Sequence, residues 1–141
     1  MTIDEVIAGV PAWAGRDVEV ESIEGGLTNA NYRLTVGEER FCVRIPGRDS
    51  SMLAVDRRAE YLNTLAAAEA GVGARVMHTV GDEPVMVLEW IEGEVQSEES
   101  LHRAGAVGQI AASVQRLHAG PPFGNAFDMF RIQQRYRAIC A

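Results

Sequence analysis

The sequence predicts an α+β fold: a five-stranded antiparallel sheet with one packed helix, followed by further helices. Three observations carry that reading. Early stretches alternate apolar and polar residues with a period of two, the pattern of half-buried strands. A later stretch switches to apolar residues at steps of three and four, the helical period. Two more strand-like stretches then follow, so the order is β-β-β-α-β-β and not the steady strand–helix alternation of a parallel sheet.

A short helix is expected over residues 3–9, after Thr2 and ending near Pro11. Strands follow at about 17–23, 30–36 and 39–46. Val18 and Val20 alternate with Glu19 and Glu21, and Tyr32, Leu34 and Val36 alternate with Asn31, Arg33 and Thr35. The second and third strands are joined by a short turn at Gly37-Glu38. The first and second are joined by "EGGLTNAN", several residues more than a tight hairpin needs. A connection that is long, glycine-rich and hydroxyl-bearing is suited to more than reversing the chain.

Residues 54–70 read as a helix with Val55, Ala59, Leu62 and Ala66 on one apolar stripe, stopped by Gly71 and Gly73. Strands at Ala74–Val80 and Pro84–Trp90 follow, with Gly81-Asp82 turning between them. From Ser100 the spacing of Leu101, Ala104, Val107, Ala111, Val114 and Leu117 predicts one helix to about 118. Pro121 and Pro122 break it, and "NAFDMFRIQQRYRAICA" resumes as a helix over 126–140. The acidic connector "EGEVQSEES" marks a boundary that divides the chain into residues 1–91 and 92–141.

With 141 residues, 47% of them hydrophobic and 23% charged, the chain is globular and of ordinary core size. The net charge is −7, and the thirteen basic residues are all arginine. That balance argues against nucleic acid or an anionic membrane surface as partner, because both need clustered cations. No apolar run reaches membrane-spanning length, and "MTIDEVIAGVPAW" carries acids where a signal peptide carries bases. Cys42 and Cys140 stand in unlike contexts and suggest neither a disulfide framework nor a zinc site. The expected compartment is the cytoplasm.

The motifs "GGLTNANYRL", "RFCVRIPGRD", "VDRRAEYLNTLAAAEAGVG", "VLEWIEGE" and "LHAGPPFGNAFDMFRIQQRYRA" occur in the order found in bacterial choline/ethanolamine kinase-like proteins. The chain resembles that branch of the aminoglycoside phosphotransferases, within the protein-kinase-like fold, from Gly25 onward. Each motif alone is weak; five in register are specific. The resemblance implies a kinase-like small lobe over 1–91 and the first helices of a large lobe over 92–141. It also implies ATP as phosphate donor, magnesium as cofactor, and a small alcohol such as choline or ethanolamine as acceptor.

The resemblance assigns roles residue by residue. The Gly25–Asn31 loop would cover the phosphates of ATP, with Gly25 and Gly26 allowing close backbone approach and Thr28 or Asn29 offered to phosphate oxygens. Read without the resemblance, the same loop is a hairpin connection with no ligand. Phe41, Val43 and Ile45 share one strand face, and Cys42 and Arg44 point to the other. Arg44 matches the basic residue that holds the α- and β-phosphates, and arginine offers a bidentate fork for that purpose; the plainer alternative is a surface arginine. Glu60 matches the helix glutamate that pairs with it, although a glutamate beside Arg57 and Arg58 also suits a solvated face.

"VMVLEWIEG" would enter the hinge, where the Glu89 carbonyl and the Ile91 N–H read the adenine edge. Trp90 suits lobe packing as well as ligand contact. Val43, Val87 and Leu88 suit an adenine pocket but are read first as core. The family's His-x-Asp-x-x-x-x-Asn catalytic motif and its later metal-binding aspartate are not found in the 141 residues. Asp128, the single aspartate after the hinge, lacks that context, and His78, His102 and His118 are read as structural or surface residues. The expectation is therefore the N-terminal half of a small-molecule kinase, with no catalytic residue and no metal ligand of its own, inactive alone. An aminoglycoside or other small-alcohol kinase, and a non-catalytic nucleotide-binding module, are the rival readings.

Overall fold

The computed structural model describes residues 1–25, 29–47, 56–82, 84–126, 128 and 130–139. Helix α1 (Ile3–Ala8) opens the chain, and its start follows from its sequence. The Thr2 hydroxyl accepts from the Glu5 N–H at 3.3 Å while the Glu5 carboxylate accepts from the Thr2 N–H at 2.7 Å, a reciprocal cap. A single 3-10 turn at Pro11–Trp13 follows.

Five strands then build the sheet: β1 (Glu19–Ile23), β2 (Asn29–Val36), β3 (Glu39–Pro46), β4 (Val76–Val80) and β5 (Val85–Glu89). Their spatial order is β1-β2-β3-β5-β4 and every pair is antiparallel, as the element order predicted. Helix α2 (Arg57–Glu69) connects β3 to β4 and packs against β4. The register places Leu34 opposite Phe41 and Tyr32 opposite Val43, with Val43 opposite Val87 on the next strand. Those residues share a face, and that face is the core.

Residues Val6, Val10 and Trp13, spaced to project from one side of α1 and the turn after it, cover this face. Trp13 packs its ring 5.2 Å from Phe41 and edge-on to His78 at 5.7 Å. With Leu34, Val36, Val43, Ile45, Val85 and Val87 they form one apolar cluster. The opposite face of the sheet is thereby left to Cys42, Arg44 and α2.

Three helical expectations change. Helix α2 starts at Arg57, where Asp56 caps it by accepting from the Ala59 N–H at 2.9 Å, and not at 54. Val55 lies outside the described residues. Ala59 and Ala66 are buried, but Leu62, on the expected stripe, is 43% exposed, so the stripe is interrupted there. The helix expected from Ser100 to 118 is two: α3 (Glu98–Leu101) and α4 (Ala106–Ala119). Gly105 separates them with φ +87°, a left-handed backbone that a continuous helix cannot include. No residue of α4 is buried, so its apolar stripe is present in spacing only.

The last helix, α5, spans Ile132–Ile139, starting six residues later than the expected 126; the expected end at 140 lies outside the described residues. The Asp128 carboxylate accepts from the Phe130 and Arg131 N–H groups at 3.0 and 3.1 Å, so the chain is still turning there. Among the described residues no helix is long and apolar enough to cross a membrane.

Candidate functional site

Strand β3 alternates, and that alternation builds the site. Phe41, Val43 and Ile45 go into the core, while Arg44 emerges on the other face, 36% exposed, beneath α2. Glu60, one turn into α2, meets it: Arg44 Nη2 lies 3.0 Å from Glu60 Oε1. The second oxygen, Oε2, accepts a hydrogen bond from Arg57 Nη1 at 2.6 Å, an i, i+3 pair on the helix. Arg57 Nη1 also donates to the Asn29 side-chain oxygen at 3.0 Å.

Asn29 is the first residue of β2, and this contact joins the base of the glycine-rich connection to α2. Strand β2 extends past its neighbour here: the β1 pairing ends at Ile23 opposite Asn31, while Asn29 and Ala30 pair only with Pro46 and Ile45 of β3. The connection between β1 and β2 is therefore residues 24–28, shorter than the eight-residue "EGGLTNAN". Its near end is pinned by the Asn31 side-chain amide, which donates to the Gly25 carbonyl at 3.0 Å. Gly25 has φ +93°, and apart from its chain neighbours no atom among the described residues lies within 4 Å of where a Cβ would stand, so the position is left-handed and open on that side.

Of the residues singled out in the sequence, Asn29, Arg44 and Glu60 are joined in this network, and Gly25 is tied to Asn31, the β2 residue opposite Arg44. Gly26 and Thr28 lie outside the described residues. Glu89 and Ile91 stand apart from it, at the end of β5. The Glu89 side chain is engaged by Arg75, whose N–H donates to Oε1 at 2.8 Å and whose Nε donates to Oε2 at 2.7 Å. Those bonds, the backbone one first, hold the Glu89 carboxyl below the usual carboxylate range. Ile91 is 62% exposed. Between them the Trp90 N–H donates to the Arg40 carbonyl at 3.2 Å, and the Arg33 guanidinium lies 5.5 Å from the Trp90 ring centroid. Arg33 also pairs with Glu21.

Val43 and Val87 are core residues, as they were first read, and do not line the Arg44 face as an adenine pocket would require. Both are fully buried in the core cluster, on the face away from Arg44. On the Arg44 face, Cys42 stands opposite Leu88 and Arg44 opposite Met86. The Cys42 thiol is pushed up by burial, partly offset by the Arg44 charge.

Arg57 was not singled out in the sequence, although its spacing of three from Glu60 was the available signal. Its side chain is 11% exposed, and its Nε and Nη2 are buried with no hydrogen-bond partner among the described residues. Arg57 is thus more enclosed than Arg44, the other cation paired with Glu60. No group of three His, Cys, Asp or Glu among the described residues could hold a metal ion.

Residues 19–139 match the profile of the phosphotransferase enzyme family, APH. The Haemophilus influenzae protein LicA is 26% identical over 117 residues, which are 82% of this chain and 34% of that protein. A crystal structure of a choline/ethanolamine kinase family protein from Mesorhizobium loti superposes with a TM-score of 0.76 at 30% identity, covering all of this chain and 47% of that one. The crystal structure of choline kinase from Cryptosporidium parvum shares the fold, with a TM-score of 0.59 at 19% identity over 79% of this chain and 32% of its own. The chain thus spans between about a third and about half the length of these relatives.

Proposed function

The chain belongs to the phosphotransferase enzyme family, and from that premise we propose that it is the nucleotide-binding part of an ATP-dependent small-molecule kinase. Residues 1–91 would form the nucleotide lobe and residues 92–141 the start of a second lobe, the exposed, non-helical 91–97 segment joining them. The acceptor would be a small alcohol of the choline or ethanolamine type, a reading supported by likeness to a choline/ethanolamine kinase family protein. The chain would act in the cytoplasm.

The observation that carries this reading is the Arg44–Glu60 pair beside the glycine-bearing connection. The carboxylate holds the guanidinium in place without covering it, and the cation stays over a third exposed. An oriented, accessible arginine is what a nucleotide's α- and β-phosphates require. Gly25, Gly26, Thr28 and Asn29 would close over the same phosphates. The Glu89 carbonyl and the Ile91 N–H would read the adenine edge, with Cys42 and Leu88 beneath the ring.

Magnesium, when bound, neutralises the transferring phosphate; the residues described here are not grouped to hold it. Its ligands and the base that takes the acceptor's hydroxyl proton would come from elsewhere in the complete protein. The part of these residues is to bind the donor and aim its triphosphate.

Calorimetric titration of the chain with ATP, ADP and adenosine tests the reading. Affinity that rises with phosphate number is expected, and no binding of any of the three would overturn it. For the complete protein, phosphate transfer to choline, ethanolamine and an aminoglycoside compared side by side identifies the acceptor. Failure with all three would favour a non-catalytic binding module.

A further inference from the structure

We propose that Arg57 is a positioning residue that keeps Arg44 available to phosphate by competing for Glu60; this rests on the nucleotide reading above. A carboxylate facing a guanidinium tends to pair bidentately, each oxygen taking one N–H. Paired in that way, Glu60 would neutralise Arg44 and occupy two of the donors a phosphate needs. The observed geometry differs. Arg57 takes Oε2 through a hydrogen bond at 2.6 Å and leaves Oε1 alone for Arg44, at 3.0 Å through a single nitrogen.

Two cations share one anion, so the cluster keeps a net positive charge. The enclosed member is Arg57, at 11% exposed, and the accessible member is Arg44, at 36%. Arg57 Nε and Nη2 are buried without partners among the described residues, a costly arrangement for a guanidinium that merely decorated a helix. The same Nη1 that binds Glu60 also binds Asn29. One side chain therefore limits how far Glu60 neutralises Arg44 and ties α2 to the base of the glycine-bearing connection.

The test is a cycle of variants titrated with ATP, ADP and adenosine. Arg57→Gln should weaken ATP binding by about tenfold, the equivalent of one charge-assisted hydrogen bond, and leave adenosine unchanged. Arg57→Lys, which can hold the carboxylate but lacks the fork, should fall between. The decisive variant is the double substitution Arg57→Gln with Glu60→Gln. Glu60→Gln keeps an amide oxygen that can accept from Arg44 and orient it but removes the charge that neutralises it, so the double variant should bind ATP more tightly than Arg57→Gln alone.

A purely structural Arg57 would give additive losses in that cycle and equal weakening of adenosine, and either result overturns the proposal. Thermal melting identifies variants that do not fold. If Arg57→Gln is one of them, the Arg57→Lys pair of the cycle, with and without Glu60→Gln, carries the same sign test. ATP binding that Arg57→Gln leaves unchanged would overturn the proposal alone, whereas absence of ATP binding by the unaltered chain would overturn the nucleotide reading and this with it.

Discussion

Arg44 and Glu60 meet across the sheet–helix boundary through one nitrogen and one oxygen, 3.0 Å apart. The pair joins two elements of different period: β3 aims Arg44 by alternation, and α2 aims Glu60 from its first turn. Neither side chain is in the apolar core, so substitution at Arg44 should leave the fold intact. Arg44→Ala is therefore expected to weaken ATP binding by about 10- to 100-fold, the range for a hydrogen bond to a charged group, with little change in thermal stability. Arg44→Lys should recover part of that loss, since it restores the charge without the fork. Calorimetry on the three proteins checks the order, and wild-type affinity in Arg44→Ala would remove Arg44 from the site.

Trp13 is a test of the core. The residue is 3% exposed, and its ring lies against Phe41 and His78, closing the sheet face opposite the site. Trp13→Ala should destabilise the protein by about 3–5 kcal/mol, the cost of emptying a buried aromatic position. Urea denaturation followed by circular dichroism measures it. A loss under about 1 kcal/mol would mean that α1 and its turn do not seal the core.

The antiparallel sheet was legible chiefly from β2, β3 and β4, whose burial alternates with a period of two, whereas β1 is exposed almost throughout and β5 buries residues on both faces. The start of α1 after Thr2 was also legible, while the reciprocal cap with Glu5 was not read from the sequence. The cover over the core was harder to see. Val6, Val10 and Trp13 straddle a helix and a 3-10 turn, and their common face appears only once both are folded. Gly105 was overlooked because apolar spacing continues across it, while its positive φ interrupts the helix that spacing implies. In the site, Arg44 and Glu60 were singled out only through family resemblance. Arg57 was passed over because burial of a charged side chain depends on what folds over it, which local spacing does not encode.

Acid should reveal the Glu89–Arg75 contact. Hydrogen bonds from Arg75 depress the Glu89 carboxyl in the folded protein. A depressed folded-state pKa stabilises the fold above the unfolded-state value, and that contribution is lost as pH falls through the folded-state value. The stability difference between the wild-type chain and Glu89→Gln should therefore be constant near neutrality and shrink in the acid range. Urea midpoints measured from pH 7 down to pH 3 check this. A difference that stays flat throughout would mean that ionisation of Glu89 is not linked to folding.

Cys42 offers a chemical probe of the Arg44 face. Burial raises its thiol pKa, and the Arg44 charge lowers it by a smaller amount. Only the thiolate is alkylated, so the pH midpoint of its reaction with iodoacetamide should lie above the ordinary thiol value of about 8.5. Removing the neighbouring cation removes the one effect that favours the thiolate, and Arg44→Ala should move the midpoint higher still. The midpoint is the proper readout, because the substitution also alters access and can change the rate at any single pH. Mass spectrometry of the Cys42-bearing fragment follows this site separately from Cys140. With ATP present, the same measurement reports on the proposed base position over Cys42 and Leu88, and alkylation should slow. A downward move of the midpoint in Arg44→Ala would show that burial and the Arg44 charge are not what set the reactivity of this thiol.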